Sequence, residues 1–169
     1  RVIPGFAKRR DHIRSLIETC VSENDDTVLT DADLIDEVTA LVEWPVAIDG
    51  SFDEHFLTLP PEVLIASMKD HQKYFPVHDV SGNLRNRFIA ICNIESRDQK
   101  VVRSGNERVI RPRLSDAEFF WKTDRARRLE ERHDLLSEMV FEKHLGSLLD
   151  KTSRVEEISK HIASTFSAD

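Results

Sequence analysis

The chain has 169 residues, 40% of them hydrophobic and 33% charged, a balance that suits one packed domain with a charged surface and excludes a disordered polypeptide. Its net charge of -7 excludes general attraction to phosphate, so any nucleic-acid contact must come from a local basic patch. No apolar run reaches membrane-spanning length and no signal-peptide pattern is present, so a cytoplasmic protein without a membrane partner is expected. Cys20 and Cys92 lack C-x-x-C or zinc-finger spacing and read as reduced core residues. Opening on Arg1 within a helical pattern, the chain is expected to be part of a longer polypeptide.

Ile13, Leu16, Ile17, Cys20 and Val21 mark the buried face of a first helix. The polar run Glu23 to Thr27 reads as a loop. Thr30 with Asp33 resembles a capping box, and Leu34, Ile35, Val38, Leu41 and Val42 then repeat at helical spacing until Pro45 ends the helix. Residues 45 to 49 read as a strand, and Gly50-Ser51 as a turn. Pro60-Pro61-Glu62 opens another helix, with Leu64, Ile65 and Met68 inward. Two strands follow, Tyr74 to His78 and Phe88 to Ile94, joined by the turn residues Ser81-Gly82-Asn83. Phe88 to Cys92 is almost wholly apolar, which implies burial on both faces, and Ile91 within it is expected to be fully buried. Ser115 and Glu118 form a second capping box for a following helix, and Arg125 to Arg132 is expected to continue it. Leu148, Leu149, Thr152, Val155, Ile158, Ile162 and Phe166 define the last helix. The fold class is α+β: a small central antiparallel or mixed sheet flanked by helices, with a C-terminal helix leading to a next domain. The division expected is an α+β domain over 1–145 and the C-terminal helix over 146–169.

Five glycines, none in a G-x-G pair, leave no phosphate-cradling loop, and no catalytic residue or metal site is assigned. His133-Asp134 is a bare HD dipeptide, too short to fill a divalent metal's coordination shell. The junction between helix and strand at His71, Lys73 and Tyr74 gathers titratable and aromatic groups; the plainer reading makes Tyr74 and Phe75 core or cap residues and His71 a satisfied hydrogen-bond partner. Arg108, Arg111 and Arg113, with Lys122 and Arg125 downstream, could line a phosphate backbone. They could equally pair with Glu107, Asp116, Glu118 and Asp124 nearby. Both readings stay open on residue content, as does a third, a nucleotide hydrolase using His71 or His133-Asp134.

A run of ordered blocks carries a family resemblance. Asp36-Glu37-Val38-Thr39-Ala40-Leu41-Val42-Glu43-Trp44-Pro45-Val46 is the first. Leu59-Pro60-Pro61-Glu62-Val63-Leu64-Ile65 and Met68-Lys69-Asp70-His71-Gln72-Lys73-Tyr74-Phe75-Pro76-Val77 follow, then Phe88-Ile89-Ala90 with Asn93-Ile94-Glu95-Ser96. Gly105-Asn106-Glu107-Arg108-Val109-Ile110-Arg111-Pro112-Arg113-Leu114, Asp116-Ala117-Glu118-Phe119-Phe120-Trp121, Lys143-His144-Leu145-Gly146-Ser147-Leu148 and Asp150-Lys151-Thr152 complete it. Over residues 36 to 152 the chain is similar to the β-subunit of the bacterial two-subunit glycyl-tRNA synthetases, and more distantly resembles the sheet-containing domain of the phenylalanyl-tRNA synthetase β-subunit. The resemblance implies an α2β2 glycine–tRNA ligase whose α-subunit holds the catalytic core and uses ATP and magnesium. It also implies that this region supports recognition of tRNA(Gly) and assembly with the α-subunit, with no cofactor of its own, and is inactive alone. The alternative is a purely structural module between subunits or domains, without tRNA contact.

Overall fold

A strand that is apolar at every position must bury both faces, and the run beginning at Phe88 sits where this is possible. In the computed structural model, which describes residues 2–22, 26–28 and 31–166, the chain forms two units, Arg1–Trp121 and Lys122–Asp169. The first holds a four-stranded sheet of β1 (Thr27–Val28), β2 (Val46–Ser51), β3 (Phe75–His78) and β4 (Leu84–Cys92), in the spatial order β1-β3-β4-β2. Every pairing is antiparallel, so the fold is α+β as expected. Helices α1 (Phe6–Ser22) and α2 (Ala32–Leu41) pack on one face, α3 (Pro61–Gln72) and α4 (Gln99–Arg125) on the other.

Alternation along β4 sorts two cores. Phe88 and Ala90 join Tyr74, Leu64, Met68, Ile110 and Leu114. Ile89 joins Phe75, Val77, Ile13, Ile17 and Ile35 on the opposite face. Ile91, expected to be fully buried, is only half-buried. β3 begins opposite Ile89, so β4 runs past it there and Ile91 has β2 alone beside it. Gly50 and Ser51 do not turn the chain; they extend β2 opposite Phe88 and Arg87. The glycine answers a close approach, since a Cβ at residue 50 would lie 2.5 Å from the Phe88 ring. Gly82, at φ +84°, does make the turn expected between β3 and β4.

Helix starts follow carboxylates more than hydroxyls. Asp31 caps α2 by accepting from the Asp33 and Leu34 N–H groups; the cap expected at Thr30, like residues 23–25 of the expected loop, lies outside the described residues, while Thr27 opens β1. Leu41, at the end of α2, is exposed, whereas Val42 beyond it is buried. The capping box expected at Ser115 and Glu118 is not used, because both lie inside α4. Asp98 starts that helix instead, its carboxylate accepting from Lys100 and Val101 N–H at 3.0 and 3.3 Å. Pro112 remains within it and removes only the hydrogen bond that would end on the Arg108 carbonyl. The helix stops at Arg125, so residues 126–132 do not continue it and form only a short 3-10 turn at Glu130–Arg132.

The second unit contains that turn, another at Asp134–Glu138, the short hairpin of β5 (Val140–Glu142) and β6 (Gly146–Ser147), and α5 (Leu148–Phe166). Ser147 and Asp150 cap α5 reciprocally: the Asp150 carboxylate accepts from the Ser147 N–H and hydroxyl, and the Ser147 hydroxyl accepts from the Asp150 N–H. The unit begins at Lys122, ahead of the 145/146 division expected from the helical pattern. No helix among the described residues is long and apolar enough to cross a membrane.

Candidate nucleic-acid interface

One side of α4 is tied to the sheet. Asn106 accepts from the Tyr74 hydroxyl at 2.7 Å and donates to the Val102 carbonyl at 2.8 Å. Glu107 accepts from the Ser51 N–H and hydroxyl at 3.0 and 3.1 Å. Ile110 and Leu114 are fully buried. A helix pinned along this stripe presents the remainder of its surface at a fixed angle. At about 100° per residue, Lys100, Ser104, Arg108 and Arg111 fall within an arc of about 80°, and all four are exposed. Lys100, Val101, Ser104, Gly105 and Arg108 line a shallow cleft of about 430 Å³. Nothing lies within 4 Å of where a Gly105 Cβ would be, so packing gives no reason for a glycine there, although it weakens the helix.

Three of the four carboxylates that could neutralise these cations are engaged elsewhere, and the fourth, Asp116, pairs with none of them. Glu107 serves Ser51, Glu118 faces His55 Nε2 at 3.7 Å, and Asp124 faces Arg132 at 3.5 Å. Among the described residues, Lys100, Arg108, Arg111 and Arg113 enter no ion pair within 4 Å. Arg111 does act on Asp53. That carboxyl is held below its ordinary value chiefly by the hydrogen bond from the His55 side chain, and the Arg111 charge adds to it.

Arg113 lies about 140° around the helix from Arg108, so the three arginines do not share one face. Lys122 and Arg125 belong to the second unit; both are exposed and neither is a free cation. Lys100 was missed from sequence because the helix was expected to start at Ser115. The i, i+4, i+8, i+11 spacing of Lys100, Ser104, Arg108 and Arg111 becomes visible once Asp98 is recognised as the cap.

The junction residues have separate roles. His71 is an exposed residue in the last turn of α3. Lys73 ends that helix in the left-handed conformation at φ 58°, its N–H reaching the Lys69 and Met68 carbonyls, and its ammonium lies 2.9 Å from Glu37. Tyr74 is buried and stacked on Phe88 with centroids 4.5 Å apart; burial pushes its phenol up to about 12. Lys73 and Tyr74 border a cleft of about 290 Å³ with Cys92 and Asn106, and His71 is not part of it. Burial raises the Cys92 thiol, which keeps it protonated and weakly nucleophilic.

Other polar clusters are internally satisfied or isolated. Arg87 bridges Asp26 and Asp49, and Arg85 Nε lies 3.4 Å from Asp26. His78 is buried with Nδ1 unpartnered, and burial lowers its imidazole below the ordinary value. His133 Nδ1 lies 3.7 Å from a fully exposed Asp134, and among the described residues no three metal-capable side chains converge. Of the positive-φ glycines, Gly82 lies in the turn between β3 and β4 and Gly146 opens β6.

The whole chain, residues 1–169, matches the family model described as glycyl-tRNA synthetase beta subunit. It is 48% identical over 168 residues to the glycine–tRNA ligase beta subunit of Pseudoalteromonas atlantica, covering 99% of this chain and 24% of that protein. It is 50% identical over 168 residues to the beta subunit of Chromohalobacter salexigens, with coverage of 99% and 24%. With that of Colwellia psychrerythraea it shares 51% identity over 158 residues, 94% of this chain and 23% of the relative. The chain therefore spans about a quarter of the length of the curated relatives it matches. On a full-length match to the family model and on about 50% identity to its members, the chain belongs to the glycyl-tRNA synthetase beta subunit family.

Proposed function

We propose that this region supports tRNA recognition within a cytoplasmic glycine–tRNA ligase, by laying the outward face of α4 against tRNA phosphates. The observation that carries the reading is the basic face itself. Lys100, Arg108 and Arg111 are exposed on a helix braced by Tyr74 and Ser51, and among the described residues none of them is ion-paired. A net-negative chain gains phosphate affinity only from such a local patch. Gly105 leaves the helix backbone open between Lys100 and Arg108, where a sugar–phosphate chain can approach closely. Chemistry on glycine and ATP, with magnesium, belongs in this reading to an α-subunit partner in an α2β2 assembly. The 169-residue chain alone is expected to show no glycine-dependent pyrophosphate exchange above a heat-killed control.

The test is kinetic, in the assembled full-length enzyme. Lys100→Gln, Arg108→Gln and Arg111→Gln combined should raise KM for tRNA and leave glycine-dependent pyrophosphate exchange unchanged, because only tRNA binding is lost. An unchanged tRNA KM in a folded, assembled variant favours the alternative, a structural module between subunits without tRNA contact.

A further inference from the structure

The second unit lacks a core of its own. From Lys122 to Phe166 none of the described residues is buried. On α5, Leu148, Val155, Ile158, Ile162 and Phe166 recur at steps of three, four and seven residues and fall within an arc of about 80°. Val155, Ile158, Ile162 and Phe166 are 52%, 59%, 52% and 76% exposed. The opposite side of the helix is solvated and charged, with Glu156 and Lys160 paired one turn apart. The capping bonds between Ser147 and Asp150 fix where α5 begins. They do not cover its apolar stripe, and a helix of this length in water draws most of its stability from such a stripe being packed.

The relatives extend to about four times the length of this chain, so most of the polypeptide lies outside these 169 residues. A linked segment meets α5 at high effective concentration, ahead of any separate molecule. Arg154 donates to the Leu145 carbonyl at 2.9 Å and the Lys151 ammonium lies 4.3 Å from the Phe141 ring centroid, so both cations near the stripe serve the hairpin of the second unit and leave its apolar residues as the docking surface.

We propose that the apolar stripe of α5 is the docking surface for an amphipathic helix from the remainder of the same polypeptide, and that the second unit acquires its core only there. This inference is independent of the tRNA reading, since no residue of the α4 basic face takes part in it.

The experiment uses the full-length beta subunit with the photoreactive amino acid p-benzoylphenylalanine in place of Ile158, irradiated alone and with the α-subunit. The expected product is an intramolecular cross-link to residues outside the 169. Cross-links to a second copy, to the α-subunit or within the 169 residues would each overturn the proposal, as would none at all. In parallel, amide exchange over 148–166 of the full-length subunit should be slowed at least ~100-fold relative to a Val155→Asp/Ile158→Asp variant. Peptides over 84–92 should stay equally protected in both, which recognises a variant that has merely unfolded. Equal exchange over α5 in wild type and a folded variant would contradict the docking. No tRNA is present in either measurement, so its failure is separate from that of the proposed function.

Discussion

In α1, Ile13, Ile17 and Val21 are enclosed against the sheet; in α5, Val155, Ile158 and Ile162 have the same residue types at nearly the same spacing and are about half exposed. Both helices announce an apolar face. In the first unit Phe75, Val77 and Ile89 close over the stripe; in the second, the short β5–β6 hairpin and the turn at Asp134–Glu138 pack against α5 without burying any of its residues. The comparison teaches that hydrophobic periodicity reports an interface and leaves open whether its other half lies in the same unit. It also separates two kinds of surface: the Lys100, Ser104, Arg108 and Arg111 arc of α4 is polar and needs no cover, whereas the stripe of α5 is apolar and does.

The largest expected contrast lies in core truncation. Phe88→Ala should cost the first unit about 3–5 kcal/mol, because Phe88 is fully buried and stacked on Tyr74. Ile158→Ala in the same 169-residue chain should change stability by less than about 0.5 kcal/mol. Urea titrations followed by the fluorescence of Trp44 and Trp121 for the first unit, and by far-ultraviolet circular dichroism for α5, measure the two. Similar costs would break the comparison.

Tyr74 tests the same core through pH. Its phenol ionises near 10 when unfolded and is pushed up to about 12 in the fold. Stability from this group is therefore full below pH 10 and is lost as pH rises from about 10 to about 12, a loss of roughly 2–3 kcal/mol. Tyr74 is the only tyrosine, so tyrosinate absorbance titrates it alone. A midpoint near 10 while the fold persists would place the phenol in water, and Tyr74→Phe should lack the alkaline decline.

Two glycines sharpen the contrast between buried and open surface. Gly50→Ala drives a Cβ into the Phe88 ring and should destabilise by about 1–3 kcal/mol. Gly105→Ala meets nothing and should stabilise α4 by up to about 1 kcal/mol. Thermal melts of the two variants should move in opposite directions.

The cores were legible in the sequence wherever periodicity was local: Ile13 with Ile17, Leu34 with Val38, Leu64 with Met68, and the doubly buried Phe88 and Ile89. Errors arose where a tertiary contact overrode a local signal. Gly50 looked like a turn because its reason for being glycine, the Phe88 ring, lies on another strand. Ile91 looked like core because the early end of its pairing with β3 leaves no local mark. Ser115 and Glu118 matched a helix start, yet Asp98 had already nucleated the helix and Pro112 did not stop it. That single misplacement hid Lys100 and made Arg113 look equivalent to Arg108. Packing of Tyr74 was among the readings left open, and it is buried; the left-handed helix end at Lys73 had no local mark, since the residue there is not a glycine.

The central claim is that the outward face of α4 meets tRNA phosphate, and the salt dependence of binding tests it most directly. Each cation that neutralises a duplex phosphate contributes about -0.9 to the log–log slope of affinity against salt. Replacing Lys100, Arg108 and Arg111 with Gln in the full-length subunit should therefore flatten that slope by up to roughly 2.7 and weaken binding at low salt, with the melting temperature nearly unchanged because exposed cations contribute little to folding. The same slope in wild type and a folded triple variant would contradict the claim.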